Sequence, residues 1–468
     1  MRPQTMSGAA PLGPNVDGSS RPAWSLAWFL PAYLLLAVWS TWPIARVLTT
    51  HLPLGSERAV TVPLMNAWTV WWNADRLRHG FASYWDAPIF YPDSDAFAFS
   101  EAQPTTLLVA PFVWLFDTPV AAYNLYLLLG LALNGWFGAR LLLTVYGRLG
   151  PAVLGGALLE MLPFVHWQLG VLQNVPLWGV LWTLHALWRF SEAPRIRTAI
   201  SAGVAFAVTY AGCNYHGLFL GLLLIPSAAF LLGSRLQEPR AWLRGVPGAA
   251  VAVLLLLPVV AVQLRVSREY QWITDRNLDL VRALSAEYGD YTATPWPQLL
   301  PLGDLAADNR RHVMPLSSGY AKYALAALGL VGAAFVRRHR RWTAFCVTLG
   351  LLAVMLSMGP KLRIGSFVPY LWLVDVVPGF TSVRSVFRAS VFAQISVAFL
   401  AAGGLVVLAR LAEAGVDRIL SARGSPDAAR GRWRRVASAV LVVGVGGCGV
   451  FEVYSPSPRA FRVPDVQQ

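Results

Sequence analysis

Apolar runs of about twenty residues recur along the whole chain, separated by polar stretches of very unequal length. An α-helix rises 1.5 Å per residue, so a run of that length crosses roughly 30 Å of hydrocarbon. The pattern predicts an all-α polytopic membrane protein of about eleven transmembrane helices, with twelve or thirteen as the alternative count. They fall at 24–45, 119–144, 150–168, 174–190, 198–212, 214–232, 245–263, 320–336, 342–358, 386–409 and 436–453. Three polar stretches are long (46–118, 264–319 and 359–385), while those on the other side are short apart from 410–435. The run 105–116 holds only about a dozen apolar residues before Asp117, which suits an interfacial or re-entrant helix in the outer layer. Residues 1–23, rich in Gly, Pro and Ser, read as a disordered tail before the transmembrane domain at 24–453, and 454–468 as an outer C-terminal tail.

Composition agrees with this class: of 468 residues 56% are apolar and only 13% charged, with a mean hydropathy of +0.50. The net charge of +14 raises the question of nucleic acid, and its placement answers it. With a cytoplasmic amino terminus, the inner segments hold about 21 Arg against 6 acids, while the outer ones balance 17 basic residues against 17 acids. That is the positive-inside rule. The runs RRHRR (337–341) and RGRWRR (430–435) are therefore topology anchors, with no nucleic-acid partner implied. The expected location is the cytoplasmic membrane. Cys213, Cys346 and Cys448 lie in apolar segments without ligand-like spacing and read as small core residues.

The chemistry concentrates in the outer stretches. Residues 46–104 of the first carry a quarter of the 24 acids, among them Glu57, Asp86, Asp93, Asp95 and Glu101, together with Trp68, Trp71, Trp72, Tyr84 and Trp85. Glu57 and Glu101 fall near the membrane surface, where a carboxylate could take a proton from an acceptor hydroxyl, with Asp86 as a further candidate. Asp93 and Asp95, in the turn-like PDSD, are expected to point into solvent. Arg384 and Arg388 enter the span that follows the third outer stretch, at a depth where their guanidinium forks can grip a lipid-linked phosphate; Arg384 is the stronger candidate. His166, Gln168, Gln173 and Asn174 cluster at an outer turn, His51 lies in the first outer stretch, and GCNYHG puts Asn214, Tyr215 and His216 at a polar break between two spans. Glu160 falls near mid-bilayer, where an unpaired charge costs about 2.5–3.5 kcal/mol. It is expected either to pair with His185 on the next helix or to be protonated.

The order of these features, more than any one motif, resembles the GT-C type membrane glycosyltransferases that use polyprenyl-phosphate sugars, within the bacterial branch near the YfhO-like and dolichyl-phosphate-mannosyltransferase-like proteins. The residues carrying the resemblance are WDAPIFYP…FAFSE (85–101), AYNLYLL (122–128), PFVHWQLGVLQ (163–173), LSAEYGDYTATP (284–295), PGFTSVRSVFR (378–388) and FEVYSPSP (451–458), spread over nearly the full chain. It implies an inverting transfer of a sugar from an undecaprenyl-phosphate donor to an outer acceptor. The family's early carboxylate maps to Glu57, where Asp is more usual, so Glu101 or Asp86 could take its part. The place of the second family acid is held by His166 and Gln173. The resemblance puts the donor phosphate at Arg384 and its tail between spans, and leaves the cofactor open, with a divalent cation as the candidate. A transporter or flippase is the rival reading, carried by Glu160 and the interrupted pair at 198–232. A catalytically inactive member of the same group is a third.

Overall fold

The apolar run predicted at 386–409 continues as one helix, Ser390–Ala422, and the molecule is built around it. Along its first half nearly every side chain is buried, including Phe392, Ile395, Phe399 and Leu405. A helix apolar on all sides belongs in the middle of a bundle. The computed structural model describes residues 23–55, 60–270, 278–295, 314–453 and 458–464. In chain order the elements are α1 (Leu30–Ser40), β1 (His51–Leu54), α2 (Thr61–Arg78), α3 (Ala110–Phe116), α4 (Pro119–Tyr146), α5 (Leu149–Glu160), α6 (Pro163–Trp167), α7 (Trp178–Glu192), α8 (Ile196–Gly212), α9 (Asn214–Leu232), α10 (Pro239–Glu269), α11 (Leu278–Ala283), α12 (Tyr320–Phe335), α13 (Arg337–Ser357), α14 (Pro369–Val376), α15 (Ser390–Ala422), α16 (Asp427–Phe451) and β2 (Arg459–Arg462).

Helix makes up 77% of the structure, so the all-α expectation holds. Among the described residues seven helices, rather than eleven, are long and apolar enough to cross a membrane: Pro119–Tyr146, Leu149–Trp167, Asn214–Gln237, Pro239–Glu269, His339–Ser357, Val386–Ala422 and Asp427–Phe451. The other expected spans form helices that are too short for an upright crossing: α1 has 11 residues, α7 15, α8 17 and α12 16. The run 105–116 folds as a 3₁₀ turn leading into the 7-residue α3, short as expected. The outward faces of the long helices are apolar: Val253, Leu254 and Leu257 on α10 and Val440 and Val443 on α16 are exposed. Exposed apolar stripes of this kind suit lipid rather than water.

Close helix contacts occur where glycine removes the side chain. A Cβ added at Gly203 of α8 would fall on the Gly248 carbonyl of α10, and one at Gly404 of α15 on the Leu325 carbonyl of α12. Small residues let backbones meet in this way when no water is present to drive helices together.

Several expectations change. The first outer stretch is not loop throughout, since the 18-residue α2 lies in it. The C-terminal segment is not a free tail: β2 pairs antiparallel with β1, His51 opposite Arg462 and Leu54 opposite Arg459. Cys213 and Cys346 are buried, but Cys448 is exposed on α16. Glu160 and His185 do not pair. Glu160 packs against Gly135 in the middle of α4, near Tyr33, whereas His185 Nε2 bonds Thr144 Oγ1 at 3.0 Å. Nine residues of α4 separate the two levels, about 13 Å of helix. The chain from 161 to 177 is not a simple turn, because it holds α6 and a further 3₁₀ turn, and this shifts the register between the two helices.

Candidate functional site

Polar side chains within the first long stretch fix its geometry. Asn73 of α2 is fully buried, and its Nδ2 donates to Ala102 O (2.8 Å), Gln103 O (3.2 Å) and Thr106 Oγ1 (2.9 Å). Its Oδ1 accepts from the Tyr84 hydroxyl at 2.7 Å, and Gln103 Nε2 donates to Asn66 Oδ1 at 2.7 Å. The Asn73 amide, satisfied on both ends, locks backbone that would otherwise be loop, and the Gln103–Asn66 bond adds a second tie. They hold the segment 101–106, and therefore Glu101, against α2. Trp68, Trp72, Tyr84, Trp85 and Phe97 pack into a small second core beside these bonds, with the Trp68 and Trp72 rings stacked at 5.8 Å. The aromatic excess there serves packing.

From the other side comes the break between α8 and α9. Cys213 interrupts the helix, and the N–H of Tyr215 donates to Glu101 Oε1 at 3.3 Å, with the Cys213 thiol 3.7 Å from the same oxygen. The third contribution is the approach to α15. Arg388 lies over the Tyr215 ring, its guanidinium carbon 4.7 Å from the centroid, and the Arg384 N–H donates to the Tyr215 hydroxyl at 3.4 Å. Tyr215 thus joins the carboxylate segment to the arginine segment.

These elements enclose a cavity of about 520 Å³ at one end of the bundle. Glu101, Gln173, Asn214, Tyr215, Arg384 and Arg388 line its polar side, and Leu218 of α9 and Val260 and Leu264 of α10 its apolar side. Three lining residues each keep a buried polar atom with no hydrogen-bond partner: Glu101 Oε2, Gln173 Oε1 and Arg388 Nε. Unsatisfied buried groups are costly, and three around one cavity mark a place prepared for a polar ligand. Burial pushes the Glu101 carboxyl above the usual carboxylate range, and the Arg388 guanidinium, followed by the N–H groups of Tyr215 and Asn214, pulls it back only in part. The roof of the cavity is tied down by Asp95, which pairs with Arg265 at 2.5 Å, and by Ser94, whose N–H donates to the Tyr270 hydroxyl at 3.1 Å.

Of the residues singled out from sequence, Glu101, Gln173, Arg384 and Arg388 meet in this cavity, with Asn214 and Tyr215 beside them. Arg388 rather than Arg384 is the inner of the two arginines, since Arg384 is exposed. Asp86 stays outside: it is exposed, and its Oδ1 accepts the Asp95 N–H at 3.0 Å, a bond that shapes the loop. His51 sits on β1 with Nδ1 2.8 Å from Thr50 Oγ1, away from the lining residues. His166 is buried in the bundle, and the charge nearest it in effect is Lys322 of α12, so it does not reach the cavity either. Asp95 does not point into solvent, because Arg265 holds it. Glu57 lies outside the described residues. Asn73 and Cys213 were not foreseen as neighbours of Glu101; Asn73 sits in a tryptophan-rich run that folds as α2, and nothing local marks it.

Among the described residues no three His, Cys, Asp or Glu side chains gather to hold a metal ion. The cavity offers one carboxylate beside two arginines, and this donor set does not fit a divalent cation, which takes several oxygen ligands and repels guanidinium. What the arrangement suits is an anion beside a hydroxyl. No protein-family model matches the sequence, and no curated protein is similar to it. The fold and site define the class here: a helical bundle with seven helices, among the described residues, long and apolar enough to cross a membrane, and a polar cavity at an end.

Proposed function

We propose that the protein is an integral membrane glycosyltransferase that moves a sugar from a polyprenyl-phosphate donor to an acceptor on the outer face of the cytoplasmic membrane. The observation that carries this reading is the cavity in which Glu101 faces the arginine segment, walled on one side by α10, whose outer surface is apolar and exposed. Phosphate oxygens of the donor fit Arg388 and Arg384, and the lipid tail leaves past Val260 and Leu264 of α10. The acceptor oxygen attacks the anomeric carbon from the face opposite the phosphate. Its proton passes to the Glu101 carboxylate as the bond from that carbon to the phosphate oxygen breaks, and the lipid phosphate departs with its charge held by the arginines. A carboxyl raised toward neutral pH is well matched to a general base.

The orientation belongs to the same proposal. The β1–β2 pair holds residues 51–54 and 459–462 on one side, which requires an even number of crossings between them. Counting α7, α8 and α12 as tilted or locally thinned crossings beside the seven long helices gives ten, and α1 makes eleven. The basic residues Arg148, Arg235 and Arg341 then fall at the end opposite the cavity, which the charge rule makes cytoplasmic.

The test is incubation of the purified protein with a panel of radiolabelled undecaprenyl-phosphate sugars, scored for transfer and for hydrolysis alongside a working control enzyme. Turnover of one donor that is lost in Glu101→Gln supports the proposal. Failure with the whole panel, without donor binding, overturns it in favour of transport; binding without turnover marks an inactive relative. Glu160, on which the transport reading leaned, does not line the cavity.

A further inference from the structure

A second feature lies away from this cavity, on the face where α12 and α13 meet α15. Both helices pack against α15 but hardly on each other, leaving a furrow floored by α15. The part nearer the cavity end encloses about 370 Å³, walled by Tyr291, Tyr323 and Val354. The part toward the opposite end, of about 540 Å³, is lined by Ala334, Arg340 and Val347, and Val347 belongs to both, so the two are one furrow. From Val354 to Arg340 it follows fourteen residues of α13, about 21 Å of helix. Its rims, Leu351 and Leu330, are exposed apolar side chains.

The two ends differ in chemistry. At the cavity end the tyrosine hydroxyls are already committed: Tyr291 to Ser357 Oγ (2.7 Å) and Tyr323 to Tyr291 O (2.9 Å). At the other end Arg340 is exposed, donates to the Ala334 carbonyl, and has no acidic partner among the described residues. Its neighbour Arg341 differs, being taken up by Glu192 at 2.6 Å. A long apolar slot that ends at a guanidinium with no acidic partner among the described residues matches one molecule with a hydrocarbon chain and an anionic head.

We infer that this furrow is a binding site for an anionic phospholipid, one acyl chain lying along Val347 between α12 and α13 and the phosphate head at Arg340. The head-group end of the furrow, at Arg340, lies at the far end of the bundle from the Glu101 cavity, and the site does not depend on the glycosyl-transfer reading. Basic pockets between membrane helices select anionic heads in the same way. A lone cation near the head contributes about fivefold in affinity, and the chain contributes according to the length buried.

Native mass spectrometry of the delipidated, detergent-solubilised full chain tests this, titrating palmitoyl-oleoyl-phosphatidylglycerol against phosphatidylcholine with the same chains. The wild type should retain phosphatidylglycerol about fivefold more tightly. Arg340→Gln should remove that preference while leaving phosphatidylcholine binding unchanged. Val347→Trp, which fills the waist of the furrow, should weaken both lipids. Ala334→Phe, at an exposed position, should do the same without touching the helix packing, so a misfolded Val347→Trp would not leave the matter open. Equal retention of the two lipids by the wild type, or unchanged phosphatidylglycerol binding in Ala334→Phe, overturns the site.

Discussion

Glu101 is the residue on which the proposed chemistry depends most directly. Its folded carboxyl titrates above the usual range, so the native state binds more protons than the unfolded chain between the two values. Stability is therefore fully present below the unfolded value and falls as pH rises toward the folded one. Glu101→Gln keeps an oxygen for the Tyr215 N–H and removes the buried charge; it should melt at a higher temperature than the wild type at pH 8 and at the same temperature near pH 3 in detergent. The same variant should lose transfer by about a hundredfold or more, as expected for a general base. Destabilisation at pH 8 would instead make Glu101 a structural anchor. The activity of the wild type should rise with pH through the raised value, because the base must be ionised. Replacing Arg388 by Ala removes the charge that holds Glu101 down and should move this limb to higher pH. The two arginines should separate on conservative substitution. Arg388→Lys loses the planar contact with Tyr215 and should impair donor use nearly as much as Ala, whereas Arg384→Lys, at an exposed position, should keep most of it. Equal tolerance of Lys at both positions would sink the assignment of Arg388 to the phosphate.

Elements place these side chains, and two contacts between elements can be broken at residues that do not line the cavity. Asn73 of α2 fixes the backbone at Ala102 and Gln103, next to Glu101. Asn73→Ala strands the Ala102 carbonyl and the Tyr84 hydroxyl and should lower kcat while leaving donor binding, measured separately, within about twofold, since the arginines stand on another segment. Donor binding lost in step with kcat would show general unfolding instead. On the opposite wall, α10 approaches α8 through Gly203 and Gly248. Gly203→Leu drives a side chain into the Gly248 carbonyl, should cost about 1–3 kcal/mol of stability, and moves Val260 and Leu264 away from the cavity. Ala199→Gly, on the same face of α8 but making no such clash, is the matched control. The existence of α8, α9 and α10 is legible from their apolar runs. Their close approach is not, because glycine in an apolar run is common and only the facing carbonyl shows which one is needed.

At the scale of the molecule the prediction is topological. The β1–β2 pair and the alternation of helices put Ser94 and Tyr288, both exposed, on the cavity side and the 423–426 turn on the other. In a background with Cys448 replaced, since it is exposed, cysteine at Ser94 or Tyr288 should react with an impermeant thiol reagent in intact cells. Cysteine at Ser425 should react only after permeabilisation. Labelling of Ser425→Cys from outside would reverse the proposed orientation. Ser285, which lies in the same outer stretch as Tyr288, is unsuitable as a probe because it is buried and donates to the Val281 carbonyl at 2.6 Å.

The sequence alone determined the class of fold, all-α with helices long and apolar enough to cross a membrane, because helix length and apolarity are local properties, written run by run. It also separated the polar stretches from the spans and pointed to Glu101, Gln173, Arg384 and Arg388, since charge beside an apolar run is visible without knowing the fold. Which of the candidates share a cavity was decided only by tertiary structure. Glu101 and Arg388 are 287 residues apart and meet through Tyr215, while Asp86, fifteen residues from Glu101, turns to the Asp95 N–H instead. The failed Glu160–His185 pair has the same origin: relative depth on two helices depends on how the intervening chain folds, and α6 with its following turn cannot be read from hydropathy. The pairing of His51–Leu54 with Arg459–Arg462 likewise joins the two ends of the chain by backbone hydrogen bonds, which carry no side-chain signature in the sequence.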